Sequence, residues 1–315
     1  MVRRKIGILI LVSLILVTMF VFLGVNSDNW SYFLSRRGPR VLAIVLTGAS
    51  IAFSSLIFQT VTANRILTPS ALGLDSLYVF IQTAVIFLIG SSNPLAANKN
   101  LNFALTVVLM IAFSGILFKV LFSKERGNIM ILLLIGMVFG TLFQSLSSFM
   151  QMMIDPNEFL HVQDRMFASF NNINTNILWI STILIAGIAV YASRFINILD
   201  VISLGREDAI NLGVDYDWTV RRLLLIVSIL VSISTALVGP ITFLGLLVVN
   251  LAREFTRRYE HKYLMVTSSL LGIIALVGGQ LVVERIFNFG TPISVIINFI
   301  GGIYFIKLLL KENVA

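Results

Sequence analysis

Apolar runs close to the ~20 residues needed to cross a bilayer recur along the whole chain, separated by short polar clusters. Their pattern predicts ten membrane spans, at about residues 6–25, 41–63, 72–91, 101–122, 129–153, 177–195, 222–238, 240–252, 263–283 and 292–310. The eighth differs from the rest. Pro240 to Ala252 is too short to cross alone, and Gly239-Pro240 interrupts the ladder before it. A half-length helix at membrane depth needs protein or a cavity around it, which places this segment inside the bundle. The first run follows Met-Val-Arg-Arg-Lys. It is longer than the ~7–15 apolar residues of a signal peptide, so it reads as a retained span. The expected fold is all-α: one polytopic transmembrane domain over residues 1–315 with about ten transmembrane helices.

Composition agrees. Hydrophobic residues make up 57% of the chain and charged residues 12%, against roughly 25% charge in a soluble domain. Cysteine is absent, which excludes disulfides, thiolate nucleophiles and cysteine-based metal sites. His161 and His261 fall on opposite membrane faces, so no metal site is expected. Neither a P-loop nor dinucleotide-binding glycines nor a zinc-protease motif occurs, and no catalytic residues are expected. With the N-terminus inside, 17 of the 23 Lys and Arg residues fall on inner loops or span ends and 6 on outer ones. Both termini are therefore expected in the cytoplasm. The isoelectric point of 10.0 follows from that bias, without any nucleic-acid partner.

The most distinctive polar stretch is Ser203-Leu-Gly-Arg-Glu-Asp-Ala-Ile-Asn-Leu-Gly-Val-Asp215, on the inner side. It reads as a short surface helix offering charge to a soluble partner. Gly205 gives a flexible start, and Glu207 and Asp208 lie in the first turn, where the helix dipole favours acids. Gly213 stands where helices commonly end in a left-handed residue. Leu204, Ile210 and Leu212 are expected to rest against neighbouring spans.

Five other features carry candidate chemistry. Arg36, Arg37, Arg40 and Arg285 lie on the outer side; they either meet a carboxylate-bearing partner or bind lipid phosphate and cap helix ends. Thr141, Gln144, Ser148 and Gln151 share one face of the fifth span, which either lines a wet path or binds neighbouring helices. Gly136 and Gly140 permit a close helix contact, and Met150, Met152 and Met153 form either an adaptable gate or plain packing. In the second span Gly48, Ser50, Ser54 and Ser55 give a small-residue surface, and the amides of Gln59 and Asn64 need partners. The acidic segment 154–164 reads as a short external helix. Asp75 is placed one turn into the third span, near the cytoplasm; a proton-coupled carrier would hold its carboxylates deeper.

Four blocks of residues resemble the FecCD family of ABC-importer permeases, the type II importers of iron-siderophores, haem and vitamin B12. They are Arg37-Gly-Pro-Arg40 with the following Val-Leu-Ala-Ile-Val-Leu-Thr-Gly-Ala49; Ile202 to Gly213; Gly239-Pro-Ile-Thr-Phe-Leu-Gly-Leu-Leu-Val-Val-Asn250; and Thr291-Pro-Ile-Ser-Val with Phe305 to Lys311. The resemblance covers nearly everything after the first span. It implies a permease subunit that forms a translocation path with a second permease. A cytoplasmic ATPase dimer would hold ATP and Mg, leaving no cofactor in this chain, and a siderophore-binding protein would dock outside. By the same resemblance, ATPase coupling falls to Gly205, Arg206, Glu207, Ala209, Leu212 and Gly213, within a segment of about 200–219. Docking falls to Arg37, Arg40 and Arg285; the polar face of the fifth span, Thr141, Gln144, Ser148 and Gln151, is the candidate lining of the path on its residue pattern. The expected location is the cell membrane of a bacterium, surrounded by lipid.

Three positions depart from the family pattern. Val249-Asn250 replaces Pro-His, Asn64 to Gly73 replaces Asn-Pro-Leu-Ala, and Gly301-Gly-Ile303 replaces Gly-Ala-Pro. These, with Ile154-Asp-Pro-Asn-Glu158 and Met166 to Asn171, look like a branch in which two different permeases pair and catecholate siderophores such as petrobactin are carried. A homodimer is the alternative assembly. The alternative function is an ion- or proton-coupled secondary transporter, which should show inverted repeats and ionisable residues at the midplane.

Overall fold

The computed structural model describes residues 2–23, 30–122 and 129–312. The last two residues of the first expected span, Gly24 and Val25, lie outside them, as do Lys124 and Arg126. Among the described residues the chain is helical and has no strand. The helices are α1 (Val2–Phe22), α2 (Trp30–Val61), α3 (Leu74–Ile89), α4 (Pro94–Ala97), α5 (Lys99–Phe122), α6 (Ile129–Met153) and α7 (Pro156–Met166). They continue with α8 (Thr175–Ser193), α9 (Ile196–Ile202), α10 (Arg206–Asn211), α11 (Tyr216–Val238), α12 (Leu244–Thr256), α13 (His261–Arg285) and α14 (Ile293–Glu312). Eight of them are long and apolar enough to cross a membrane. Adding α3, of 16 residues, and α12, of 13, accounts for the ten expected spans.

The end of the bundle that holds Lys5 is called the inner end here, following the charge bias; the end that holds Arg40 is the outer. Lys5 Nζ donates to the Phe255 carbonyl at 2.6 Å, joining α1 to the end of α12. α11 and α2 form the buried centre, and α6 and α14 lie largely open on the outside of the chain.

The interruption at Gly239-Pro240 is as expected. Gly239 has φ +99° and ends α11. A Cβ there would lie 2.9 Å from Ala168 Cα, so only glycine lets the break pack against the outer segment 167–169. α12 then runs buried to the inner face. The glycines of α6 are used differently from a helix–helix motif. Gly136 and Gly140 receive the 3-10 turn Pro69–Leu72 and Gly73; a Cβ on Gly136 would stand 2.7 Å from the Ala71 carbonyl oxygen.

That contact corrects the expected depth of Asp75. Gly140 lies about 16 Å from the start of α6 and about 20 Å from its end, at 1.5 Å per residue. Asp75, two residues beyond Gly73, is therefore near the middle of the membrane and not near the inner face. Its Oδ2 accepts from Ser70 at 2.7 Å and from Thr242 at 3.2 Å, tying the turn before α3 to the break before α12.

α2 and α13 make the tightest helix pair. Gly48 and Gly272 meet at their crossing, where a Cβ on Gly272 would lie 2.7 Å from the Gly48 carbonyl oxygen. The small-residue surface expected on the second span is this crossing, continued where Ser55 packs against Gly245 of α12. Of the two amides expected to find partners, Asn64 accepts from the Ile66 N–H at 2.9 Å, whereas the buried Gln59 side chain has no protein partner among the described residues.

Candidate functional site

Three regions hold the candidate residues. At the inner end, α9 and α10 form an elbow. Gly205 adopts φ +110° and Gly213 φ +85°, conformations that favour glycine, and they bracket the short α10. The Gly213 N–H donates to Ile210 and the Val214 N–H to Ala209, closing the helix end as the sequence pattern predicted. Ala209 is fully buried under the elbow. Leu204, Ile210 and Leu212 do not rest on the spans as expected. They point outward, with Leu212 63% exposed, beside the exposed acids Glu207 and Asp208. An apolar tip flanked by acids suits a protein partner better than a lipid surface that repels acidic groups. Arg206 sits 3.2 Å from Asp217 and over the Tyr216 ring; the ion pair is well exposed and contributes little stability.

At the outer end the structure gathers Arg37, Arg40 and Arg285 but gives them unequal surroundings. Arg37 is turned inward. Its Nη1 donates to the carbonyls of Phe20, Val21 and Leu23 at 2.8–2.9 Å, satisfying the C-terminal end of α1. As a surface docking residue it is thus corrected: its guanidinium caps a helix end, the other use weighed for it. Arg285 also donates to the Leu23 carbonyl, at 2.6 Å, but stays exposed. Arg40 lies 3.4 Å from Glu284 and donates to the Asn171 carbonyl at 2.9 Å. The expected external helix is α7, held at both ends. Glu158 accepts from the N–H and hydroxyl of Ser91, and Arg165 donates to Gln82 and to the Ala96 carbonyl.

On α6, Thr141, Gln144 and Ser148 face away from the rest of the chain. The Thr141 hydroxyl donates to its own helix, at Met137. Only Gln151 reaches another helix, 3.3 Å from Thr83 Oγ1. A polar face turned out of a membrane chain is costly against lipid, so this face fits a second protein or a wet path. Met152 and Met153 are exposed beside it.

The residue pattern gave no role to Asp200, His261 and Thr60, which meet at the inner end. The available signals were faint: a single carboxylate inside the apolar run 196–202, and a histidine opening a span.

The FecCD transport family profile matches residues 6–311. The chain belongs to the FecCD transport family. It is 62% identical to the petrobactin import system permease protein YclO of Bacillus subtilis (strain 168), over 99% of each chain. It is 34% identical to the petrobactin import system permease protein FatC of Bacillus anthracis, covering 92% of this chain and 82% of that protein. The fold matches a solved metal-chelate type ABC transporter in an inward-facing conformation, with TM-score 0.86 and 22% identity over 99% of this chain and 100% of the other. This chain is a multi-pass membrane permease of that family, with the ABC-importer permease fold.

Proposed function

We propose that this chain is a permease subunit of an ATP-driven importer that carries ferric petrobactin or a close catecholate siderophore into a bacterial cell. The observation that carries the substrate class is the 62% identity to a petrobactin permease along the full chain. The outward polar face of α6 supports pairing with a second permease, Thr141, Gln144, Ser148 and Gln151 flanking the path between them. The apolar, acid-flanked tip of α10 supports docking on a soluble ATPase, with Gly205, Arg206, Glu207, Ala209, Leu212 and Gly213 forming the coupling segment. ATP and Mg belong to that partner. Arg285, with Arg40 behind it, meets the carboxylates of a binding protein outside, and Arg37 holds the end of α1 in place for them. Both termini lie in the cytoplasm.

The test is uptake of 55Fe-petrobactin by cells lacking this chain, with and without its restoration. Uptake should disappear and return, while a ferric hydroxamate is taken up throughout. Unchanged 55Fe-petrobactin uptake in the deleted cells would refute the assignment. Glu207→Lys should leave the chain in the membrane and abolish uptake; normal uptake would sink the coupling role of α10.

A further inference from the structure

We propose that His261 is a positioning residue for energy coupling: with Asp200 and Thr60 it forms the joint that links the α9–α10 elbow to the α2–α13 pair. The proposal rests on the reading of α10 as the coupling segment. A push on α10 reaches α9 through a hydrogen-bonded elbow, in which the N–H groups of Ser203, Leu204 and Gly205 donate to Leu199, Val201 and Ile202. α9 carries Asp200. A single carboxylate oxygen of Asp200 accepts from the His261 backbone N–H at 2.7 Å and from its ring Nδ1 at 2.6 Å. This carboxylate caps the first turn of α13, where the helix dipole favours negative charge. The other ring nitrogen, Nε2, lies 2.8 Å from Thr60 Oγ1 in the last turn of α2. Thr60 Oγ1 also lies 2.9 Å from the Leu56 carbonyl of its own helix. One imidazole, 3% exposed, thus touches three helices.

What the joint grips is rigid. α2 and α13 are locked at Gly48 and Gly272 and joined at the outer end by Arg40 and Glu284. Gln280 of α13 reinforces that end by donating to the Asn171 side chain and to Glu284. A displacement applied at His261 therefore travels the ~37 Å of α13, at 1.5 Å per residue, to the face that carries Arg40 and Arg285. The other polar link out of α10, Arg206 to Asp217, is exposed and weak by comparison. An inner surface engaged by an ATPase and an outer surface engaged by a binding protein are in this way two ends of one lever.

The test uses the whole importer, with its partner permease, ATPase and binding protein, in proteoliposomes. 55Fe-petrobactin uptake and ATP hydrolysis are measured in the same vesicles. Asp200→Ala and His261→Ala should each lower uptake per ATP by about tenfold, within the usual range of coupling between sites. The double variant should be no worse than either single one, because both break one joint. The ATPase should stay bound and keep its basal hydrolysis. If the alanine variants do not accumulate, Thr60→Val, which removes the Nε2 partner on α2 and leaves the Asp200 cap on α13, carries the same test. Unchanged uptake per ATP would overturn the proposal. So would loss of the bound ATPase, since the joint would then only hold the docking surface in shape. Leu212→Arg is run in parallel: full uptake in that variant would show that α10 is not the coupling segment, whatever the joint variants do.

Discussion

Gly272→Ala probes the α2–α13 lever directly. The added Cβ would lie 2.7 Å from the Gly48 carbonyl oxygen and 3.2 Å from its carbonyl carbon. Carbon contacts are favourable at about 3.5–4.0 Å, so the helices must separate by roughly 1 Å. No side chain can rotate away, because the obstacle is backbone. Overpacking of this kind costs about 1–3 kcal/mol. Alanine also favours the helix over glycine by about 1 kcal/mol, which hides part of that cost. Gly278→Ala supplies the correction: it lies on the same helix with nothing within 4 Å of its Cβ position. The propensity gain is common to both variants and cancels in their difference. Gly272→Ala should therefore be less stable than Gly278→Ala by about 1–3 kcal/mol, read by unfolding in mixed detergent micelles. Equal stability of the two variants would refute the close crossing, and with it the rigidity assigned to the pair.

Two further predictions concern the outer end. Arg37→Ala removes a cation from three α1 carbonyls and should loosen that end by about 2 kcal/mol. As the chain has no cysteine, Leu23→Cys provides a reporter whose maleimide labelling should rise in the Arg37→Ala background; unchanged labelling would refute the cap. Arg165→Met should free α7, because burial already disfavours the Arg165 charge and Gln82 and the Ala96 carbonyl are its compensation. Protease cleavage within α7 should rise at least several-fold in Arg165→Met vesicles and stay at background if α7 is held elsewhere.

The spans were legible in the sequence because hydropathy reports what a bilayer demands, and a segment that fails the length test announces itself. The eighth span showed this: the short segment 240–252 had to be a buried half-helix, and α12, which begins four residues later at Leu244, is one. The helix signals around α10 were legible for the same local reason, since Gly205 and Gly213 are needed where the backbone turns left-handed. Side-chain direction was less accessible. Leu204, Ile210 and Leu212 have the composition of a face that packs on spans, yet they point out, because six residues make too short a helix to bury a stripe. Arg37 and Arg40 stand three residues apart in one motif, but only Arg37 faces the end of α1, a relation set by tertiary packing.

Asp75 shows most clearly what a linear reading of depth misses. Counting residues from the end of α2 puts it one turn inside the third span. That count assumes the chain re-enters as helix, rising 1.5 Å per residue. Residues 64–68 are not helical, and the 3-10 turn Pro69–Leu72 rises about 2.0 Å per residue, so the same number of residues climbs further than an α-helix would. A carboxylate at midplane is the feature a proton-coupled carrier would display. Here its acceptor oxygen is occupied by Ser70 and Thr242, and those two bonds join the turn before α3 to the break before α12. The group therefore has a structural partner on each side of the interruption. Membership of the FecCD transport family, and not this carboxylate, sets the secondary-transporter alternative aside. Asp75 is better understood as the clasp that holds the 3-10 turn before α3 to the break before α12 in the middle of the membrane, where backbone outside regular α-helix needs protein around it.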